Sequence, residues 1–491
     1  MAKQLFNSSE SSNFILNLTE EKYAKLASIG MITAFIASSL ATAVPIVTKN
    51  YGYYVLSAAG LATGGVICMI VAIIALMKKY ITKSQLFPVC AFAAMTLWGV
   101  AALLNSYDIN IGFYGYAGRG EGLLSTFFYL SFFVAAASIR RSKAVNSVFY
   151  GLTAAGLLNS AVGLVQVFTG EFSHYRMISF DIQANAASGL AQSPLFLAML
   201  LTMSLIASLI AFVSFESRGK KIFFLISACI FSFTMMFTYS LIGVCGAALA
   251  VVITIVYVLA SKAKKVNIAS VLAVIAPAAA AVLLVNAGAI GLLEKYELHD
   301  GDILWFADSY FRLSASGAPD SNKVDLSDTY DVYYTLNRKT MNIISAHPLT
   351  GTGQDQLVFP QLYTTGIYTE EDNPDISDII SENTGTFDRV YNEYLNTAAT
   401  RGVPAAVCLV AVILSVLFIS GKRFKKGSAP EKAMFLLTLS GALIYLIGCS
   451  NTVFAPVFWC IAGCAIAQIK DEPEKVVVKA EETAAEAAEK E

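Results

Sequence analysis

The residues best suited to chemistry close one long polar interruption, about Glu294 to Arg401, in an otherwise apolar chain. They run Phe387-Asp388-Arg389-Val390-Tyr391-Asn392-Glu393-Tyr394-Leu395 and lead straight into another apolar stretch. On a helix, Asp388, Tyr391, Asn392 and Leu395 share one face, and Arg389, Glu393 and Asn396 the adjacent one. That arrangement presents a carboxylate, a phenol and an amide together, a set able to orient and deprotonate a hydroxyl. A plainer reading stands beside it. Asp388 serves as a first-turn cap, Tyr391 and Tyr394 belong to an interfacial aromatic belt, and Arg389 with Glu393 forms an i,i+4 pair.

Four arginines are expected at the same membrane face: Arg119 in Gly118-Arg119-Gly120-Glu121-Gly122, Arg176 in His174-Tyr175-Arg176, Arg338 and Arg389. A guanidinium stays charged and grips phosphate oxygens in pairs, so several converging at interfacial depth suit a lipid pyrophosphate. Singly, each is also an ordinary interfacial anchor. Arg119 stands out because its flanking glycines allow close backbone approach.

These residues must be positioned by membrane helices. The 491 residues are 56% hydrophobic and 14% charged, with a mean hydropathy of +0.61, which excludes an ordinary soluble domain. With about 20 apolar residues needed per span, twelve candidates are centred near residues 37, 65, 95, 130, 156, 200, 231, 251, 278, 411, 441 and 460. Tyr239–Gly243 and Ser450-Asn451 are expected as tight turns, and the span from Gly122 to Ile139 is short. The fold class is therefore an all-α polytopic membrane protein, with a large, partly helical external loop between helices 9 and 10. The boundaries are 1–26 (N-terminal segment), 27–293 (helices 1–9), 294–392 (loop with the candidate site), 393–469 (helices 10–12) and 470–491 (tail).

Alternate short loops are basic: Lys78, Lys79 and Lys83; Arg140, Arg141 and Lys143; Arg218, Lys220 and Lys221; Lys262, Lys264 and Lys265; Lys422, Arg423, Lys425 and Lys426. By the positive-inside rule both termini are expected in the cytoplasm and the long loop outside. Residues 1–25 are polar, and the span near residue 37 reads as an uncleaved anchor. The tail from Lys470 is Ala/Glu/Lys-rich and reads as a disordered or transiently helical extension. Inside the loop, Leu336, Thr340/Met341 and Ile344 fall on one helical face; Pro348 stops that helix and Gly351-Thr352-Gly353 turns the chain. Residues 369–386 are acidic and irregular, and the next helix is expected from Asp388 into the span after Gly402.

Other chemistries find little support. The eight cysteines lie in or beside apolar spans and His174, His299 and His347 are scattered, so no metal or cofactor is expected. Nothing points to nucleic acid. No Asp, Glu, Lys, Arg or His occurs in 86–106, 188–215, 222–261 or 433–468, whereas ion-coupled carriers place charges at mid-bilayer.

In sequence order these motifs resemble the O-antigen ligase and O-antigen polymerase family of bacterial membrane glycosyltransferases. That family's signature is His, then Asn, Ser or Gln, nine residues, and Gly; Tyr391-Asn392 and Gly402 have this spacing. His347-Pro348-Leu349-Thr350-Gly351-Thr352-Gly353 is similar to the family's "HPL-x-G-x-G" turn, Arg119-Gly120-Glu121-Gly122-Leu123 to its Arg-x-x-Gly-Leu stretch, and Gly189–Pro194 is a looser match. The resemblance implies metal-free transfer of a glycan from undecaprenyl pyrophosphate to an acceptor glycan or lipid hydroxyl at the outer face of a bacterial plasma membrane. Arginines (Arg119, Arg176, Arg338, Arg389) and Asn392 would hold the substrate. The family histidine is Tyr391 here, its Ser-Arg is Ser240-Leu241, and a further arginine aligns with Tyr333. A phenol ionises near pH ~10 against ~6.5 for imidazole, making it a poor base at neutral pH. Two readings follow. Asp388 or Glu393 is the base, with Tyr391 orienting the acceptor, or the chain is a catalytically degenerate homologue that binds lipid-linked glycan. A flippase or transporter is a third reading, disfavoured by the uncharged spans.

Overall fold

A computed structural model describes residues 18–48, 56–116, 119–172, 186–191, 193–261, 268–290, 329–358 and 389–469. Arg176, Asp388, the tail 470–491 and the loop stretches 294–328 and 369–386 lie outside the described residues.

The helices are α1 (Glu20–Thr48), α2 (Leu56–Met77), α3 (Lys83–Leu104), the short α4 (Ile109–Tyr114), α5 (Leu123–Ala137), α6 (Ser142–Thr169), α7 (Pro194–Ser214), α8 (Arg218–Met236), α9 (Leu241–Ser261), the short α10 (Ile268–Leu272), α11 (Ile275–Asn286), α12 (Thr329–Ala346), α13 (Glu393–Arg401), α14 (Val403–Phe424), α15 (Ala429–Ile444) and α16 (Phe454–Ile466). All twelve expected centres fall inside helices, and among the described residues there is no strand. Among the described residues, eight helices are long and apolar enough to cross a membrane. The molecule is thus a polytopic all-α membrane protein. Helices α5, α11, α15 and α16 run only 15, 12, 16 and 13 residues. Polar turns at Glu121-Gly122 and Ser450-Asn451 cut into two of these apolar stretches.

Helix α7 is the hub. Pro194 occupies its first turn, and the Ser193 hydroxyl accepts from Phe196 N at 3.3 Å, a cap that fixes where the helix begins. It is apolar on every side, so it belongs in the interior; 94% of its apolar window is buried, with α6, α8, α9 and α15 packed around it. The α8–α9 turn is Phe237–Ser240, slightly before the expected position. Tyr239 takes a left-handed φ of 50° there, and Gly243 already lies in the first turn of α9, donating to Ser240 Oγ at 3.1 Å.

Three of the basic loops gather at one end of the bundle. Glu20 meets Arg140 at 3.3 Å and Arg141 at 3.7 Å, and Arg140 stacks on Tyr80 at 4.2 Å. Gln85 donates to Ala137 O at 2.7 Å and Ile466 O at 2.8 Å, and Arg423 donates to Ala467 O at 2.9 Å. The opposite ends of α3, α5, α14, α15 and α16 carry the polar groups described next.

Candidate active site at the polar end of the bundle

The expected helix from Asp388 through Gly402 is corrected. Residues 389–392 are not helical, and Asn392, at φ −155°, is the N-cap of α13; its side-chain oxygen accepts from Tyr394 N at 3.0 Å and Leu395 N at 3.2 Å. An amide flanked by helical residues captures orphan N–H groups better there than one turn earlier. Tyr391 and Asn392 therefore do not share a helical face. Gly402 ends the helix at φ 87°, and α14 begins on a new axis after it. The nine residues between Asn392 and Gly402 are the nine residues of α13, so the signature spacing is one capped helix.

The turn at 347–353 completes this helix. Thr352 N donates to Ala399 O at 2.9 Å, Gly353 N to Thr400 O at 3.0 Å, and Val403 N to Pro348 O at 2.8 Å. The carbonyls left open at the C-terminus of α13 are thereby satisfied. The packing is tight: a Cβ on Gly402 would stand 1.9 Å from Leu349 O. Trp98 Nε1 donates to that same oxygen at 2.9 Å, and Asn105 donates to Thr350 Oγ1 at 2.7 Å, tying the turn to α3. Helix α12 leads into the turn. Its buried face is Leu336 and Thr340, with Ile343 and Ile344 partly covered, whereas Met341 is exposed.

At the other end of α13, two guanidiniums flank one carboxylate. Asp355 Oδ1 lies 3.4 Å from Arg119 Nη2 and 3.9 Å from Arg389 Nη2, and its other oxygen accepts from Tyr116 N at 2.7 Å. The two arginines are 8% and 7% exposed. Tyr116 lies beneath Arg119 at 4.9 Å and Phe196 beneath Arg389 at 5.0 Å, contacts that hold guanidinium planes in place. Asp355 has a left-handed φ of 60°, a conformation Asp tolerates better than most residues. Gly115, at φ 88°, lets the 115–122 loop fold on itself; a Cβ there would meet Glu121 N at 2.2 Å. Two guanidiniums held side by side in this way present a paired set of N–H donors, suited to an anion with two or more oxygens.

Ser450, in the 445–453 connection between α15 and α16, joins this triad to two more carboxyls. Its carbonyl accepts from Arg389 Nη1 at 3.0 Å, its N–H donates to Glu393 Oε2 at 2.7 Å, and its hydroxyl donates to Glu121 Oε2 at 2.8 Å. Tyr129 donates to the other Glu121 oxygen. Burial pushes the Glu121 carboxyl up to about 7; Arg389 and the hydrogen bonds from Tyr129 and Ser450 oppose the rise, and Glu393 adds to it. Glu393 is also held by Thr397 Oγ1 at 2.9 Å and Asn396 Nδ2 at 3.4 Å. Arg389 and Glu393, expected as an i,i+4 helix pair, meet at Ser450 because Arg389 precedes the helix.

Of the residues singled out from sequence, Arg119, Arg389 and Glu393 come together in this buried cluster. Asn392 and Tyr391 adjoin it, Asn392 as a cap and Tyr391 half-buried between the main core and the cluster of Leu336, Leu357, Val390 and Ala399. Arg338 is exposed on α12, unlike the buried Arg119 and Arg389. Arg176 and Asp388 lie outside the described residues. Sequence reasoning overlooked Asp355, Ser450 and the pairing role of Glu121. Asp355 alone left a signal, an acidic residue just after a Gly-x-Gly turn.

Residues 203–410 match the family described as O-Antigen ligase. The match ends eight residues beyond Gly402 and takes in the 347–353 turn, Asp355 and all of α13. No curated protein matches the chain.

Proposed function

We propose, on the premise of the O-antigen ligase match over residues 203–410, that the protein transfers a glycan from undecaprenyl pyrophosphate to a sugar hydroxyl. The acceptor oxygen attacks the anomeric carbon, the bond from that carbon to the pyrophosphate oxygen breaks, and the pyrophosphate leaves with the electron pair. A protein base receives the hydroxyl proton. The observation carrying this reading is the buried Arg119–Asp355–Arg389 triad. Asp355 keeps both guanidiniums aligned while the site is free of substrate, and their N–H donors stabilise the departing pyrophosphate.

Within this proposal Tyr391 orients the acceptor and Asp388 is the base. Glu393 fits a positioning role, because both its oxygens already accept hydrogen bonds and one holds the Ser450 connection. Asn392 contributes by fixing the start of α13. Arg176 and Arg338 are proposed as outer contacts for the glycan or lipid head group. The gathering of basic loops at the far end of the bundle supports cytoplasmic termini and an outer site.

Arg119→Lys tests the reading, because it keeps the charge and loses the two-pronged grip. The expected result is loss of transferred or polymerised glycan with normal membrane insertion; unchanged glycan overturns the proposal. Tyr391 at the family's histidine position favours a second reading, a homologue that binds lipid-linked glycan without transferring it. In that case Tyr391→His gains activity, whereas for an active enzyme adapted to tyrosine it loses activity.

A further inference from the structure

A third arginine lies at the far end of α13, and its surroundings differ from those of the first two. Arg401 is 8% exposed, and its Nε is buried with no hydrogen-bond partner. Among the described residues no carboxylate pairs with it, in contrast to the Asp355 shared by Arg119 and Arg389. An arginine cannot escape burial by losing its proton. Covering a guanidinium that faces no carboxylate among the described residues is costly, up to several kcal/mol for a fully buried charge in real proteins. Its place in the last turn of α13 offsets only part of this, about 0.3–2 kcal/mol from the helix dipole.

Two further groups on the adjoining turn share this condition. Thr352 Oγ1 and Gln354 Oε1 are buried without partners, and both side chains are 1% exposed. The turn is fastened to α13 beside Arg401, through Thr352 N to Ala399 O and Gly353 N to Thr400 O. Gln354 Nε2 reaches Thr126 on α5 at 3.2 Å. One turn further along α5, Tyr129 lies within the electrostatic reach of Arg401 and donates to Glu121. Three polar groups at one helix–turn junction thus lack partners in a chain that satisfies the surrounding backbone closely. Buried polar groups are rarely left so, and a guanidinium so placed favours an anion.

We infer that Arg401, with the Thr352 hydroxyl, is a second oxyanion-binding point at this end of the bundle, taking a phosphate group. Gln354 Oε1 accepts from a hydroxyl on the same ligand. The inference rests on the proposed use of a lipid pyrophosphate and extends it. Arg119 and Arg389 already hold a protein carboxylate, whereas the counter-ion of Arg401 comes from the ligand. Such a residue lowers the stability of the ligand-free protein and raises its affinity for phosphate, which separates it from a structural arginine.

The test uses the full-length protein in phosphatidylcholine nanodiscs, titrated separately with inorganic pyrophosphate and with undecaprenyl pyrophosphate. Thermal unfolding is followed in wild type, Arg401→Met, Arg401→Lys and Arg119→Lys. Expected for Arg401→Met is a higher unfolding temperature without ligand and at least tenfold weaker binding of the probe, with Arg401→Lys intermediate in binding. A lower ligand-free unfolding temperature, or unchanged probe affinity, overturns the assignment. If Arg119→Lys weakens binding and Arg401→Met does not, the Arg401 site falls and the lipid-pyrophosphate reading stands. If wild type binds neither probe, both fall. Binding of the lipid probe identifies the head group as the source of the phosphate, and binding of the inorganic probe alone identifies a soluble one.

Discussion

Substituting alanine at three glycines separates backbone strain from steric overlap and measures how rigidly the 347–353 turn grips α13. Gly219, in the first turn of α8, has nothing within 4 Å of the point where a methyl would stand and an ordinary backbone; alanine there is expected to be neutral, or to stabilise by up to about 1 kcal/mol through helix propensity. Gly288 has φ 69° with equally open space, so alanine incurs the left-handed penalty alone, about 1–2 kcal/mol. Gly402 has φ 87° and ψ 162°, a region held almost only by glycine, for which other residues cost about 1–3 kcal/mol. In addition, the new methyl would stand 1.9 Å from Leu349 O, a backbone atom already bonded to Trp98. That oxygen can move only by giving up the indole hydrogen bond, worth about 1 kcal/mol, and by shifting the turn. Gly402→Ala is therefore expected to destabilise by about 3–5 kcal/mol, the range of overpacking added to strain. Equilibrium unfolding of the purified protein in detergent, with the three variants side by side, gives the comparison. If Gly402→Ala is no worse than Gly288→Ala, the turn yields freely, and the claim that it clamps the end of α13 is refuted.

The raised Glu121 carboxyl makes stability depend on pH. The folded protein holds this proton up to about 7, whereas the unfolded chain releases it near the ordinary value of 4.5. Stability is thus greatest below the unfolded value and declines as pH rises between the two, by a few kcal/mol at most. Glu121→Gln should flatten the profile between pH 5 and 8 in thermal unfolding, and an unchanged slope would show that another group is responsible. Asp355→Asn leaves Arg119 and Arg389 buried without their shared counter-charge and is expected to cost about 3–5 kcal/mol. A variant as stable as wild type would mean that Glu393 and Glu121, joined to Arg389 through Ser450, already balance the pair.

The membrane class and the twelve helical centres were legible because hydropathy is a property of local composition. The basic end was legible too, since charge parity survives without knowledge of packing. Helix ends were harder. Asp388 and Asn392 both suit a cap, and only the fit of Glu393 against Ser450 places the start of α13 at the second. Glu121 and Ser450 stand 329 residues apart in the chain, and no spacing rule reaches so far. Asp355 went unnoticed for the same reason, because its partners Tyr116 and Arg119 come from the loop before α5. Arg338 drew attention as a cation on a helix, but the burial that distinguishes it from Arg119 is a tertiary property.

Helix α13 behaves as a strut of fixed length. Eight peptide steps separate Glu393 from Arg401, about 12 Å at 1.5 Å per residue, and both ends are seated: one in the Ser450 connection, the other in the glycine turn. Adding or deleting one residue would move the far end by about 1.5 Å and rotate it by about 100°, withdrawing Arg401 from the turn whatever the inserted side chain. The number of residues in this strut is therefore constrained more severely than their identities. Position 391 lies just outside it and is held by packing rather than by the length of the helix. Its tyrosine packs between the main core and the small cluster around Leu336, so a substitution there is read by the scaffold as well as by the chemistry.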